Sequence, residues 1–132
     1  MSAEEPQITR TEILEATKNM LQLQLYVIHT TPTQGMGPVM ANLETHLNYQ
    51  QEMERTGVYV GAGPHWEDDE ETWKGDGMIV LRAKNLAGAR LVAENDPMHS
   101  SGARRFTVRP WLVNEGTVSV KLNFSASTYQ VS

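Results

Sequence analysis

The residues of this chain with the clearest capacity for acid–base chemistry are His46 and Asp96. An imidazole is a suitable general base near neutral pH. A carboxylate that accepts its Nδ1–H fixes the tautomer and stabilises the imidazolium formed on proton abstraction. His46 lies in the stretch Leu43 to Pro64, LETHLNYQQEMERTGVYVGAGP. Val39, Leu43, Leu47 and Gln50 recur there at three- and four-residue spacings, and His46 shares that inward stripe. An imidazole on such a face is either a hydrogen-bonded core residue or a base with a partner, and spacing alone leaves both open. Asp96 stands before Pro97, where an aspartate either caps backbone N–H groups in a turn or serves as that partner. Their separation in sequence means that only the packing of helices can join them.

The other candidates line the ends of expected elements. His29 follows a first strand, His65 a second, and His99 comes just after Asp96. If the first two strands run the same way, His29 and His65 share a rim with Asp96 and His99. There they can orient a substrate's oxygens. Three imidazoles and a carboxylate can also hold a metal, although no His-x-His spacing supports it. Arg104, Arg105 and Arg109 are candidates for a substrate carboxylate, with surface charge the preferred reading for Arg104. Trp66, Trp73, Trp111 and Tyr59 either wall an aromatic pocket or fill a core. The acidic run Glu67 to Glu71 reads as a solvated loop, and Ser100-Ser101 as loop polarity. No cysteine and no Gly-x-Ser-x-Gly is present, so covalent catalysis has no obvious nucleophile. The expected site is thus His46 and Asp96 for catalysis, with His29, His65, His99, Trp66 and Arg109 around the substrate, and no metal or organic cofactor.

Bulk properties narrow the partners. A formal charge of −5 over 132 residues argues against a general nucleic-acid binder, which carries a basic face. The lack of cysteine excludes a disulfide framework and a thiolate zinc site. No run reaches the length of a membrane span. The opening MSAEEPQITR carries acids where a secretory signal carries lysine or arginine, so the expected compartment is the cytoplasm. The expected partners are a small-molecule substrate and a second copy of the chain.

Residues 1–20 read as an extension. Met1 to Pro6 is expected to be a flexible tail, followed by a short helix with Thr9 and Glu12 as a capping box and Ile13, Leu14 and Met20 on a docking face. Residues 21–113 form the main domain. Leu21, Leu23 and Leu25 alternate with Gln22 and Gln24, which predicts a strand buried on the leucine side. A loop to Pro38 leads into one helix running to about Arg55, then strands over Gly57 to Gly63 and Met78 to Ala83. A second helix follows from Asn85 to Glu94, broken at Asn95-Asp96-Pro97. A loop then leads to a strand over Arg105 to Val113. Residues 114–132 add a fifth strand, Val118 to Phe124, and a loose end. The order is β-α-β-β-α-β plus one strand: an α+β, ferredoxin-like arrangement with both helices on one sheet face. The other face needs cover, which a second copy supplies by packing sheet to sheet; the extra strand can extend the partner's sheet.

Several short motifs in this order resemble the YCII-related family. They are Ala62-Gly63-Pro64 following His46 and Gly57, Gly77 to Leu81, Asn95-Asp96-Pro97, Gly102, and Val108-Arg109-Pro110-Trp111. The resemblance covers roughly Leu21 to Val113. It implies a dimeric α/β barrel of ferredoxin-like protomers, close in architecture to muconolactone isomerase, with an active site built on a His–Asp pair. Carried over, that pair is His46 and Asp96. One branch of the family eliminates hydrogen chloride from a chlorinated hydroxyhydroquinone. Two positions depart from the family pattern: Met98-His99 stands where an aromatic residue often follows Asp-Pro, and His29 where an acid or tyrosine often ends the first strand. The expectation is a cofactor-free lyase or isomerase acting on a small cyclic or aromatic-derived compound. The alternatives are a non-catalytic dimeric ligand-binding module, and a metal-dependent enzyme using the extra histidines.

Overall fold

The computed structural model describes residues 5–132, so the expected tail lies largely outside the described residues. The elements are α1 (Arg10–Ala16), β1 (Leu23–Pro32), α2 (Met36–Ala41), α3 (Leu43–Arg55), β2 (Tyr59–Pro64), β3 (Gly77–Leu81), α4 (Leu86–Asn95), α5 (Pro97–Ser100), β4 (Arg104–Val113), β5 (Val120–Asn123) and β6 (Thr128–Val131). The chain divides into two compact units. One is Gln24–Leu112; the other joins the described residues up to Leu23 with Val113–Ser132.

In the larger unit the sheet order is β2-β3-β1-β4, with β3 antiparallel to both β1 and β2. This is the α+β βαββαβ sheet, the protomer architecture of dimeric α/β-barrel proteins. Register assigns its faces. Tyr26 pairs with Leu81 and Ile28 with Ile79, and these four join Tyr59, Ala89 and Ala93 in the main core cluster. The small Ala89 and Ala93 let α4 approach that face closely. Val27 pairs with Val80 and His29 with Met78 on the opposite face, because strand side chains alternate. A second cluster joins Val39, Met98 and Ala103, which seats α2 and α5 together.

Local chemistry explains the helix boundaries. Asn85 Oδ1 accepts from Gly88 N–H at 2.8 Å and starts α4 as an N-cap. The expected single helix from Pro38 to Arg55 is two helices meeting at Asn42. There the Asn42 side chain donates to the Pro38 carbonyl at 2.8 Å and competes with the helical ladder. Past Asp96 the expected loop begins instead as α5. Asp96 has extended backbone, Pro97 takes the first helical turn, and the Asp96 carboxylate accepts from Met98 N–H at 2.9 Å.

Leu25 is buried and Leu23 half-buried, as the alternation predicts, but the other side of β1 is buried as well. Tyr26, Ile28 and Thr30 face the helices, while Leu21 is exposed. Gln22 adopts φ +53, and its amide donates to the Leu14 carbonyl at 2.8 Å and to Thr17 Oγ1 at 3.2 Å. The chain therefore turns at Gln22, which leaves Leu21 outside the strand. In the smaller unit, the Thr9–Glu12 capping box forms as expected. Of the residues expected on its docking face, Leu14 is half-buried while Ile13 and Met20 are exposed. The C-terminal end is not loose: β6 pairs with β5 in antiparallel register from Val120–Val131 to Asn123–Thr128. No helix among the described residues is long and apolar enough to cross a membrane.

One close approach has a measurable consequence. A Cβ at Gly77 meets the Gly63 carbonyl oxygen at 2.7 Å, and backbone cannot swing aside as a side chain does. Gly77→Ala is expected to destabilise the protein by about 1–3 kcal/mol. The measurement is a urea denaturation midpoint that falls at unchanged slope.

Candidate active site

Two helix segments bring the sequence-distant pair together. His46 sits one turn into α3, its N–H bonded to the Asn42 carbonyl at 3.0 Å. Asp96 lies between α4 and α5. His46 Nδ1–H donates to Asp96 Oδ1 at 2.7 Å and to Oδ2 at 2.9 Å. Asp96 is fully buried and His46 is 5% exposed. The carboxylate's remaining bond, from Met98 N–H, ties it to the backbone. Tyr49, one turn beyond His46, donates to the Val92 carbonyl at 2.7 Å and ties α3 to α4. Burial, with the Asp96 charge adding to it, pushes the Tyr49 phenol up to about 12. Tyr49 therefore remains a neutral donor at any physiological pH.

His46 opens onto a cleft of about 190 Å³ whose lining includes Thr30, Trp66, Trp73, Asp76 and Arg104. A cavity of about 150 Å³ holds benzene, so this one admits a single substituted ring. Among the described residues His46 Nε2 has no protein hydrogen bond, while Nδ1 is committed to Asp96. The imidazole therefore turns its basic nitrogen away from its partner, toward whatever occupies the cleft. Asp96 does not line the cleft; it acts on the site through His46.

The sequence set Arg104 aside as surface charge, but it is only 7% exposed. Its guanidinium lies 5.9 Å from the centre of the Trp73 ring. Burial holds its pKa below the ordinary arginine value, against the pull of Asp96 and Asp76. Its position as the first residue of β4 gave no apolar pattern from which burial could be read. Arg105 and Arg109, its neighbours along β4, are exposed.

Of the residues expected around the substrate, His29, His65, His99 and Arg109 do not converge on His46. Trp66 lines its cleft. His29 and Arg109 line a second cleft of about 400 Å³ with Val27, Met78, Pro110 and Trp111, on the sheet face away from the helices. His65 lies between these regions, its ring centre 6.1 Å from that of His29 and its Nδ1 3.6 Å from Asp76 Oδ2. His99, expected at the rim, lines neither cleft. Its Nδ1–H donates to the Ala93 carbonyl at 2.6 Å, the Thr30 hydroxyl donates to Nε2 at 2.8 Å, and the ring packs on Phe106. The extra histidines thus do not form the metal site considered from sequence; among the described residues no three His, Asp or Glu side chains converge in that way.

With both nitrogens engaged, His99 is held neutral. Burial lowers its pKa first, and the Arg104 and His46 charges add to this against the Ala93 carbonyl and Asp96. The unfolded chain therefore binds a proton more readily than the folded one. Stability is fully present above the ordinary histidine value of about 6.5 and is lost as pH falls through the lower folded value. Urea midpoints of the wild type are expected to decline between neutral and mildly acidic pH, and His99→Gln is expected to flatten that decline.

A family model described as the YCII-related domain matches residues 24–112. A search of curated proteins finds no significant match. Among solved structures, the chain is similar to the 5-chloro-2-hydroxyhydroquinone dehydrochlorinase TftG from Burkholderia phenoliruptrix AC1100, solved with 2,5-dihydroxybenzoquinone. The identity is 21% with a TM-score of 0.57, covering 66% of this chain and 92% of that one. At that identity the likeness speaks for the fold.

Proposed function

We propose that this chain, which belongs to the YCII-related domain family, is a lyase or isomerase in which His46 removes a proton from a small cyclic compound. The observation that carries this reading is the buried His46–Asp96 hydrogen bond, with Nε2 left free beside a ring-sized cleft. Nε2 takes a proton from a C–H next to a carbonyl, or from a ring hydroxyl, and the bonding electron pair moves into an enolate. The imidazolium that results keeps its Nδ1–H on Asp96, which opposes its new charge. Two continuations balance. The enolate can form a double bond while a halide leaves with its bonding pair, or a hydroxide leaves and takes the imidazolium proton as water. Alternatively, His46 returns the proton to a different carbon, which is an isomerisation. The dehydrochlorinase activity and the quinone ligand of TftG favour an oxygenated six-membered ring as substrate.

Proton abstraction is common to both continuations, so it is the step to test. Cyclic ketones, hydroxyquinones and chlorinated hydroquinones are incubated with the protein in deuterated water. NMR then follows loss of substrate C–H signal. Exchange or turnover that disappears in His46→Gln supports the reading. Compounds that bind with neither exchange nor turnover point instead to a ligand-binding module.

We further propose a homodimer. The sheet face away from the helices carries Val27, Met78 and a half-exposed Trp111, an apolar surface that water does not favour. A second copy packed there covers it. Sedimentation at micromolar concentration is expected to give a dimer, and Trp111→Asp is expected to shift it toward monomer by burying a charge at the contact.

A further inference from the structure

We infer that Arg104 is an anion-binding residue of the His46 cleft, and that the ligand the cleft takes carries a carboxylate. The inference rests on the acid–base reading of the same cleft and names its substrate class. Arg104 Nε is buried without a hydrogen-bond partner. None of the ion pairs found among the described residues includes Arg104. Nor does its guanidinium take part in any of the side-chain hydrogen bonds found there, although the group carries five N–H donors.

A buried cation costs several kcal/mol in lost hydration unless something opposite in charge compensates it. Asp96 and Asp76 attract the guanidinium through space, but neither is hydrogen-bonded to it. Asp96 is bonded to His46 and Met98, and Asp76 stands 3.6 Å from His65. The Trp73 face offers the guanidinium one attractive contact but no hydrogen-bond acceptor. What is left unfilled is a fork of donors at the wall of a cleft that also holds His46. A carboxylate is the anion whose flat, two-oxygen geometry matches that fork. A carboxylate on Arg104 would also orient the ring beside Nε2, where the proton is taken.

The probes are benzoate and benzamide, which share ring and shape and differ in charge. Binding is followed by NMR at the Trp73 indole N–H, which is anchored on the Asp76 carbonyl at 2.8 Å. Wild type is expected to bind benzoate about tenfold to a hundredfold more tightly than benzamide, the worth of a charge-assisted hydrogen bond. Arg104→Met is expected to abolish that preference while keeping benzamide affinity, and Arg104→Lys to restore part of it. The unfolding midpoint of ligand-free Arg104→Met is expected to stay level or rise, since a buried charge without a hydrogen-bonded partner has been removed. His46→Gln is expected to keep the benzoate preference. A preference that survives in His46→Gln while no compound undergoes exchange thus leaves the anion site standing without the catalysis. Equal binding of the probes, no benzoate binding at millimolar concentration, a preference that persists in Arg104→Met, or a fall in that variant's unfolding midpoint overturns the inference.

Discussion

Asp96→Asn is expected to leave the protein folded and to reduce turnover by about 10³- to 10⁴-fold. The asparagine oxygen can keep the bond from Met98 N–H, now 2.9 Å from Asp96 Oδ1. Its NH₂ then replaces Oδ2, which lies 2.9 Å from His46 Nδ1. Oδ1 also lies 2.7 Å from Nδ1, but an Nδ1–H there would crowd the new amide N–H, so the tautomer that accepts at Nδ1 and carries its proton on Nε2 is favoured. The nitrogen beside the cleft then carries a proton and can no longer take one. Loss of a base through the wrong tautomer, with geometry retained, is worth about 10⁴ in kcat where it has been measured in triads. Asp96→Ala separates this from packing. It orphans the donors of His46 and Met98 at about 1–3 kcal/mol each, so it is expected to lower the urea midpoint sharply. If Asp96→Asn retained wild-type turnover and pH dependence, Asp96 would be a helix cap and nothing more.

His46→Ala is expected to be the most damaging single change to stability. It leaves the Asp96 carboxylate fully buried with the Met98 N–H as its remaining bond. Breaking a buried pair from one side costs about 3–5 kcal/mol because the other charge is stranded. His46→Gln should recover much of this, since its amide can donate to the carboxylate. It is nevertheless expected to lose about 10²- to 10⁴-fold in activity, the share usually supplied by a positioned general base. The double variant His46→Ala/Asp96→Ala is expected to be less destabilised than the two single losses sum to, because the stranded charge goes with its partner. Thermal or urea denaturation of the four proteins measures that coupling. Additive losses would mean that the two residues contribute through separate packing.

Much of the local structure could be read directly from residue types. Thr9 and Glu12 specify a capping box, and Asn85 specifies the start of α4, because a short polar side chain satisfies helix N–H groups wherever it occurs. The βαββαβ order follows from the alternation of apolar periods, and a sheet with helices on one face follows from that order. His46 announces itself on an inward stripe. Asp96-Pro97 announces a break but conceals that the same carboxylate both caps α5 and meets the imidazole.

Tertiary structure decided the rest, for reasons that lie outside any short window of sequence. The turn at Gln22, a positive-φ residue tied by its side chain to the end of α1, is one that the leucine alternation does not announce. His29, His65 and His99 looked alike as histidines at element ends. The fold spends one on an open sheet face, sets one near Asp76, and locks one between Thr30 and Ala93. Arg104 and Arg109 belong to one strand, and the sequence ranks Arg109 as the better ligand. The elements packed over β4 bury Arg104 beside His46 and leave Arg109 exposed. Sequence by itself determined which groups can carry a proton or a charge. Only packing decided which of them lose water and meet, and it is desolvation at close range that turns a titratable side chain into a site.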